Sequence, residues 1–306
     1  MELPDKARRE LWFADDDPGG TNRAAAATMI AQLAAFDGLK PFPASVQRVM
    51  ERLSSPTFDL DRVVTLIEED PPFAVKTLRV ANSAAFVGRQ PCKSVRDAVI
   101  RVGRERIKEA AVLLGCMALF KDVKGAGRKL RMHCVRTAAI VRGLSERVQN
   151  PVQGVFLAGL LHDVGRLVLL QAGHEPYLAL QSAHTEGVDS IHLKERALLG
   201  YDHAVLGAHL LEIWNIPHPI PRAVAWHHQP QRALAAGGDV AATVCLVRLA
   251  DFLDAELTAA ATPSAAVVGR LAARAECAAV GLSEKDLRRA WPELRVAAQE
   301  TVSAVL

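Results

Sequence analysis

The chain is poor in aromatic residues, has no marked excess of either charge, shows no paired-cysteine spacing and lacks long uninterrupted apolar runs. Phe, Tyr and Trp make up 5% of its 306 residues, while hydrophobic residues make up 50%. With few aromatic rings to fill a core, alanine and leucine must fill it, and they favour helices packed closely through small side chains. The 37 basic residues mingle with 34 acidic ones, and a formal charge of +3 offers no basic stripe to follow a nucleic-acid backbone. Five cysteines (Cys92, Cys116, Cys134, Cys245 and Cys277) are odd in number and show no C-x-x-C spacing. A reduced, cytoplasmic protein is therefore expected rather than a disulfide frame. No run reaches about 18 consecutive apolar residues, so no membrane-spanning helix is expected. Met1 to Lys6 shows no basic region leading into an apolar one, so no secretory signal is expected either. Internal repeats, low-complexity tracts and sustained period-two alternation are also missing. The last of these argues against strands.

Helical periodicity is what remains, and the chain is expected to be all-α. Its length suits one or two domains. After a polar start and the turn-like Asp15-Asp-Asp-Pro-Gly-Gly20, Thr21 can cap a helix running to Phe36, which Gly38 to Pro43 breaks. From Ala44 to about Lys124 a series of short helices is expected, with caps at Asp59 or Asp61 and at Ser94, and an apolar helix from Arg104 to Phe120 closes it. Gly125-Ala-Gly127 reads as a joint. Beyond it come helices over about Arg128–Val148, through His162-Asp163, over Tyr177–Thr185 and Ser190–Leu199, from Asp202, up to Trp226, and over Ala241–Leu257. Ala235 to Gly238 reads as a loose segment, and the tail from about 262 to 306 as two more helices, with Ser283 as an N-cap.

The chain is organised around Phe156-Leu-Ala-Gly-Leu-Leu-His162-Asp163-Val-Gly165-Arg166-Leu-Val-Leu-Leu170. An imidazole and a carboxylate stand in the middle of an apolar run, where an unsatisfied polar group costs roughly 1–3 kcal/mol. A metal ion would satisfy both together; buried hydrogen bonds are the other solution. Five further candidates, His133, His203, His227, His228 and Asp251, sit at helix ends or in apolar settings and complete an ordered set of imidazoles and carboxylates with no thiolate. That donor chemistry suits Fe, Mn, Zn or Mg, as one or two ions. Antiparallel helices could bring the positions to one depth, with Asp202 or Asp254 accepting from a ligand's outer nitrogen. The bland alternatives are hydrogen-bonded core histidines, an Asp251 facing solvent beside Arg248, and Cys134 as a small core filler. His209 lies six residues past His203, about 240° round a helix, and is left out. His174, His184, His192 and His218 are left out because their surroundings are polar or loop-like.

Several blocks in order then resemble the HDOD family, the HD-related output domains of bacterial signalling proteins. They include Pro41-Phe-Pro43, Leu66-Ile-Glu-Glu-Asp70-Pro71, Leu78-Arg-Val-Ala-Asn82-Ser83 and Ser94-Val-Arg-Asp-Ala98. Gly159-Leu-Leu-His162-Asp163-Val-Gly165-Arg166, Gly200-Tyr-Asp202-His203, Leu211-Glu-Ile-Trp214 and Trp226-His227-His228-Gln-Pro230 follow, so the likeness covers roughly 38–235. The resemblance implies a wholly helical, two-lobed fold with an HD-like second lobe. It also matches His133, His162, Asp163, His203, His227, His228 and Asp251 to the two-metal ligand set of HD-GYP phosphodiesterases. Two departures stand out. Gln229-Pro230-Gln-Arg follows the histidine pair where those enzymes carry glycine-tyrosine-proline, and Arg166 stands where many hydrolytic relatives have lysine.

The expected organisation is an N-terminal extension (1–37), a helical first lobe (38–125), an HD-like lobe (126–256) and a C-terminal extension (257–306). That extension either covers the second lobe or forms a homodimer contact. The expected function is a signalling output or scaffold module that binds a partner protein or a nucleotide ligand. The alternative is a metal-dependent phosphohydrolase acting on a nucleotide or cyclic dinucleotide. DNA binding through a helix-turn-helix over Asp61–Phe86 is disfavoured, because its second helix offers only Lys76 and Arg79 on a mostly apolar face.

Overall fold

Caps decide where the helices of the first lobe begin. The computed structural model describes residues 44–55, 57–83, 91–119, 125–173, 175–183, 191–214, 216 and 218–305. The expected Thr21–Phe36 helix, the Pro41-Phe-Pro43 block, His174 and His184 lie outside these. Helix α1 (Ala44–Ser54) is followed by α2 (Leu60–Glu68), whose N-cap is Asp59 accepting from the Arg62 amide. Asp70 ends α2 and starts α3 (Pro71–Ala81): its carboxylate accepts from the Phe73 amide while Pro71 and Pro72 fill the first turn, where no amide donor is needed. Ser94 caps α4 (Val95–Val102), and Gly103, at φ 87°, turns the chain directly into α5 (Arg104–Leu119). Valines, leucines and isoleucines of these helices form the first lobe's part of the core: Val49, Leu53, Val63, Ile67, Val80, Ile107 and Leu113 are all buried.

The expected joint is narrower than the sequence suggests. Gly125, left-handed at φ 79°, is the N-cap of α6 (Ala126–Ser145), so Ala126 and Gly127 are already helical. The long α6 is the axis of the second lobe: α7 (Val155–Leu161), α8 (Val164–Gln171) and α14 (Gly238–Ala259) all pack on it. Around them run α9 (Glu175–Ala183), α10 (Ile191–Leu199), α11 (His203–Ile213), α12 (Ile220–Trp226) and α13 (Pro230–Ala236). The segment expected to be loose is thus the end of α13 and the Gly237-Gly238 turn into α14.

The tail holds three helices rather than two: α15 (Ala265–Ala272), α16 (Ala275–Val280) and α17 (Glu284–Val305). Ser283 and Asp286 cap α17 reciprocally, each side chain accepting from the other's amide, so aspartate does here what a capping box usually asks of glutamate. Helix α17 packs along α6 and also touches α3, where Arg79 donates to the Ser303 carbonyl. It therefore lies across both parts of the chain. Among the described residues there is no strand, all five cysteines are free and buried, and no helix is long and apolar enough to cross a membrane.

Candidate metal centre

The apolar stretch at the heart of the sequence is two helices, broken at the dipeptide that matters. Helix α7 ends at Leu161, α8 starts at Val164, and His162 and Asp163 form the corner between them. Close helix contacts then bring partners to this corner. A Cβ on Gly159 would stand 2.7 Å from Val141 Cγ1 and 3.1 Å from the Ala138 Cα, so α7 lies tight on α6, the helix carrying His133. A Cβ on Gly165 would stand 2.1 Å from the His203 carbonyl oxygen, and one on Gly207 3.0 Å from Val164 Cγ1. Two glycines therefore let α8 and α11 close until Asp163 reaches His203. Helix α12 ends at Trp226 and delivers His227 and His228, and α14 contributes Asp251.

All seven candidate residues meet at this corner, in two groups. His133, His162 and Asp251 form one, with ligand atoms within 4.8 Å of one another, and His203, His227 and His228 form the other to the same limit. The His133 and His162 Nε2 atoms are 3.3 Å apart, and Asp251 Oδ1 lies 3.1 Å from His133 Nε2. In the second group His203 Nε2 is 3.0 Å from His228 Nε2 and 3.4 Å from His227 Nε2. Asp163 stands between them: Oδ1 lies 3.0 Å from His203 Nε2, and Oδ2 lies 3.8 Å from His162 Nε2.

The outer nitrogens explain why the inner ones converge. His162 Nδ1 donates to the Gly159 carbonyl and His227 Nδ1 to the Val224 carbonyl, at 2.8 and 2.7 Å. His133 Nδ1 faces Asp254 Oδ2 at 2.8 Å, and His203 Nδ1 faces Glu195 Oε2 at 2.5 Å. With these four Nδ1 atoms committed outward, the Nε2 atoms converge on one buried space, where protons on His133 and His203 face Asp251 and Asp163 and a cation would take the place of those protons. Asp251 Oδ1 lies buried in the same space with His133 Nε2 beside it at 3.1 Å. The residues present therefore fit a divalent cation, and the nitrogen and oxygen donors suit Fe, Mn, Zn or Mg.

The electrostatics favour positive charge at this spot. Burial would lift the Asp163 carboxyl, but Arg166, His162 and His203 outweigh it and hold Asp163 well below the usual carboxylate range. Burial likewise opposes charge on His133 and His203, yet Asp251 and Asp254 raise the first to about 10, and Glu195 and Asp163 raise the second to about 10. Burial lowers His162, His227 and His228, leaving them neutral.

Several features differ from the sequence expectation. Of the two outer carboxylates considered, Asp254 takes the role; Asp202 instead caps α11 and pairs with Arg196 at 2.6 Å. The bland alternative for Asp251 does not hold, since it is buried and Arg248 turns to Glu276 at 2.7 Å. His192 is buried in a helix, not in polar surroundings. The His192 ring stacks on His228 at 4.3 Å, a contact that sequence reasoning missed. Glu195 was missed as well. The available signal was an acid four residues after Ile191, on the apolar face of α10.

The HDOD domain family model matches residues 39–230. A candidate phosphohydrolase from Shewanella amazonensis SB2B has a similar structure, with a TM-score of 0.73 at 20% identity over 92% of this chain and 98% of that one. A candidate signal transduction protein from Marinobacter aquaeolei VT8 gives 0.65 at 22% identity, over 94% of this chain and 67% of that one. Likeness at these identities is likeness of fold. An uncharacterized protein of Treponema pallidum (strain Nichols) is 25% identical over 224 residues, 72% of this chain and 44% of that protein. The chain thus spans less than half of that relative's length.

Proposed function

Because this chain belongs to the HDOD domain family, we propose that it is a signal-transduction output module that holds a divalent cation in its second lobe and presents its helical surface to a partner protein or a nucleotide ligand. The burial of the donor set carries this reading over the enzymatic one. His162, Asp163, His203 and His227 are each no more than 3% exposed. Only His133, with a fifth of its side chain accessible, and the half-buried His228 approach the surface. A phosphodiester must reach the metal to be polarised, and this shell leaves its charged oxygens little approach. A cation held this deeply would instead brace the corner between α7 and α8. We read residues 38–125 and 126–256 as the two lobes and 257–306 as an extension covering both.

One observation favours a metal-dependent phosphohydrolase as the second reading: Asp163 lies between two three-residue groups, as a carboxylate shared by two cations would. Two cations held there would supply Lewis-acid polarisation of a phosphoryl oxygen. Cyclic dinucleotide hydrolysis with Mn2+ supplied separates the readings, run beside elemental analysis of protein purified without chelator. The module reading expects bound metal and no turnover above background. Turnover that vanishes in His162→Ala would overturn it in favour of the enzyme.

A further inference from the structure

We propose that Arg166 makes the two halves of the metal centre unequal, so that the His203, His227 and His228 side takes a cation first and the His133, His162 and Asp251 side holds one only weakly. The proposal rests on reading the cluster as a metal centre and adds an order of loading that the ligand set alone does not contain. The two oxygens of Asp163 are in different situations. Among the described residues Oδ1 faces imidazoles, His203 Nε2 at 3.0 Å and His227 Nε2 at 3.9 Å, which can give up a proton to a binding cation. Oδ2 has a partner that cannot give up its charge, the Arg166 Nη1 at 2.7 Å. To serve the His162 side, Oδ2 would have to leave a charge-assisted hydrogen bond. The first side therefore offers three imidazoles and a carboxylate oxygen, while the second offers two imidazoles and Asp251 with a guanidinium close by. That fixed positive charge repels a second one, and does so more strongly away from water.

Arg166 is not a mobile surface side chain. Its Nη2 donates to Gln181 Oε1 at 3.0 Å, and Gln181 Nε2 donates to the Tyr177 hydroxyl at 2.9 Å. The Tyr177 hydroxyl donates to Glu195 Oε1 at 3.1 Å, and Glu195 Oε2 holds His203 Nδ1. His203 returns to Asp163, which closes a ring of hydrogen bonds from Asp163 through Arg166, Gln181, Tyr177, Glu195 and His203. Releasing Oδ2 means opening this ring. Arg166 is thus a positioning residue that acts through Asp163.

The test is a calorimetric titration of the full chain, stripped with chelator, with Mn2+ as the probe. The wild type is expected to show two steps whose dissociation constants differ by at least about 10-fold. Arg166→Met is expected to tighten the weak step by about 10-fold and leave the tight one in place. His228→Ala should abolish the tight step, and Asp251→Ala only the weak one. Two equal steps in the wild type, an unaltered gap in Arg166→Met, or loss of the tight step in Asp251→Ala would each overturn the ordering while leaving the metal reading intact. Absence of any Mn2+ step overturns both. Should Arg166→Met fail to fold, Gln181→Leu removes the Nη2 acceptor without touching Asp163. It is expected to narrow the gap, and an unchanged gap there counts against the proposal equally.

Discussion

At the scale of single residues, the proposed metal centre depends on groups that never face its interior. Glu195 is fully buried and accepts from both the backbone and the ring of His203, so it holds the Nδ1 proton and turns Nε2 toward Asp163 and the other imidazoles. Replacing it by glutamine keeps the shape but removes the charge and one acceptor. Outer partners of this kind typically carry 10–100-fold of metal affinity. Glu195→Gln is therefore expected to weaken Mn2+ binding by about that factor while the helical spectrum stays unchanged, and unaltered affinity in a folded variant would refute the role. Gly165 is a steric counterpart. An added methyl would meet the His203 carbonyl oxygen at 2.1 Å, which no side-chain rotation relieves. Gly165→Ala should cost about 1–3 kcal/mol in chemical denaturation, as overpacking does, and weaken metal binding together with it. Wild-type stability would show that α8 and α11 are not held by this contact. The seven candidate ligands were legible in the sequence because imidazoles and acids stand out in apolar surroundings. Glu195 and Gly165 were harder to interpret, since one depends on a partner eight residues away and the other on a neighbouring helix.

At the scale of elements, caps made part of the first lobe readable: Asp59 (or Asp61) and Ser94 announce helices by a side chain that binds the backbone next to it, whereas Asp70 caps α3 in the same way behind a Pro-Pro that reads first as a stop. The break at His162-Asp163 left no such mark. No glycine or proline sits at the corner itself, and the run is apolar on every face, so periodicity could not reveal two helices. The tail illustrates a charge contact of long reach. Glu276 at the start of α16 is buried against Arg248 of α14, with Oε1 2.7 Å from Nε, and Arg274 lies at 3.3 Å. Burial pushes its carboxyl up, but Arg248 and Arg274 outweigh burial and hold it below the ordinary glutamate value. A carboxyl depressed in the folded state stabilises the fold above its unfolded value, near 4.3, and that contribution is lost as pH falls through the depressed value. Glu276→Gln should therefore cost roughly 1–3 kcal/mol at pH 7. The difference from wild type should fade as the pH is lowered past that range. A difference that persists at low pH would assign the effect to packing rather than charge.

At the scale of the whole molecule, the question is whether the two lobes behave as one cooperative unit. Helix α5 touches α7, Arg142 of α6 pairs with Glu109 of α5, and Arg106 reaches Glu146 at 3.2 Å. Helix α17 adds a second bridge, packed along α6 and tied to α3 through Arg79 and the Ser303 carbonyl. A cation held as proposed among α6, α8, α11, α12 and α14 would bind the folded state alone, since the unfolded chain has no converged donors. At a free-metal concentration 100 times the dissociation constant, it stabilises the fold by about 2.7 kcal/mol. For a chain of this size each kcal/mol moves the melting midpoint by roughly 1.5–2 °C, so loading should raise it by roughly 4–5 °C over chelator-stripped protein. With both bridges in place the metal acts on the second lobe yet should lift the entire transition, and a single calorimetric peak is expected before and after loading. A peak that splits on loading, with one part unmoved, would show that the first lobe unfolds independently and that α17 does not couple it to the metal centre. Such decoupling would also deprive a buried cation of any route to a partner bound on the first lobe.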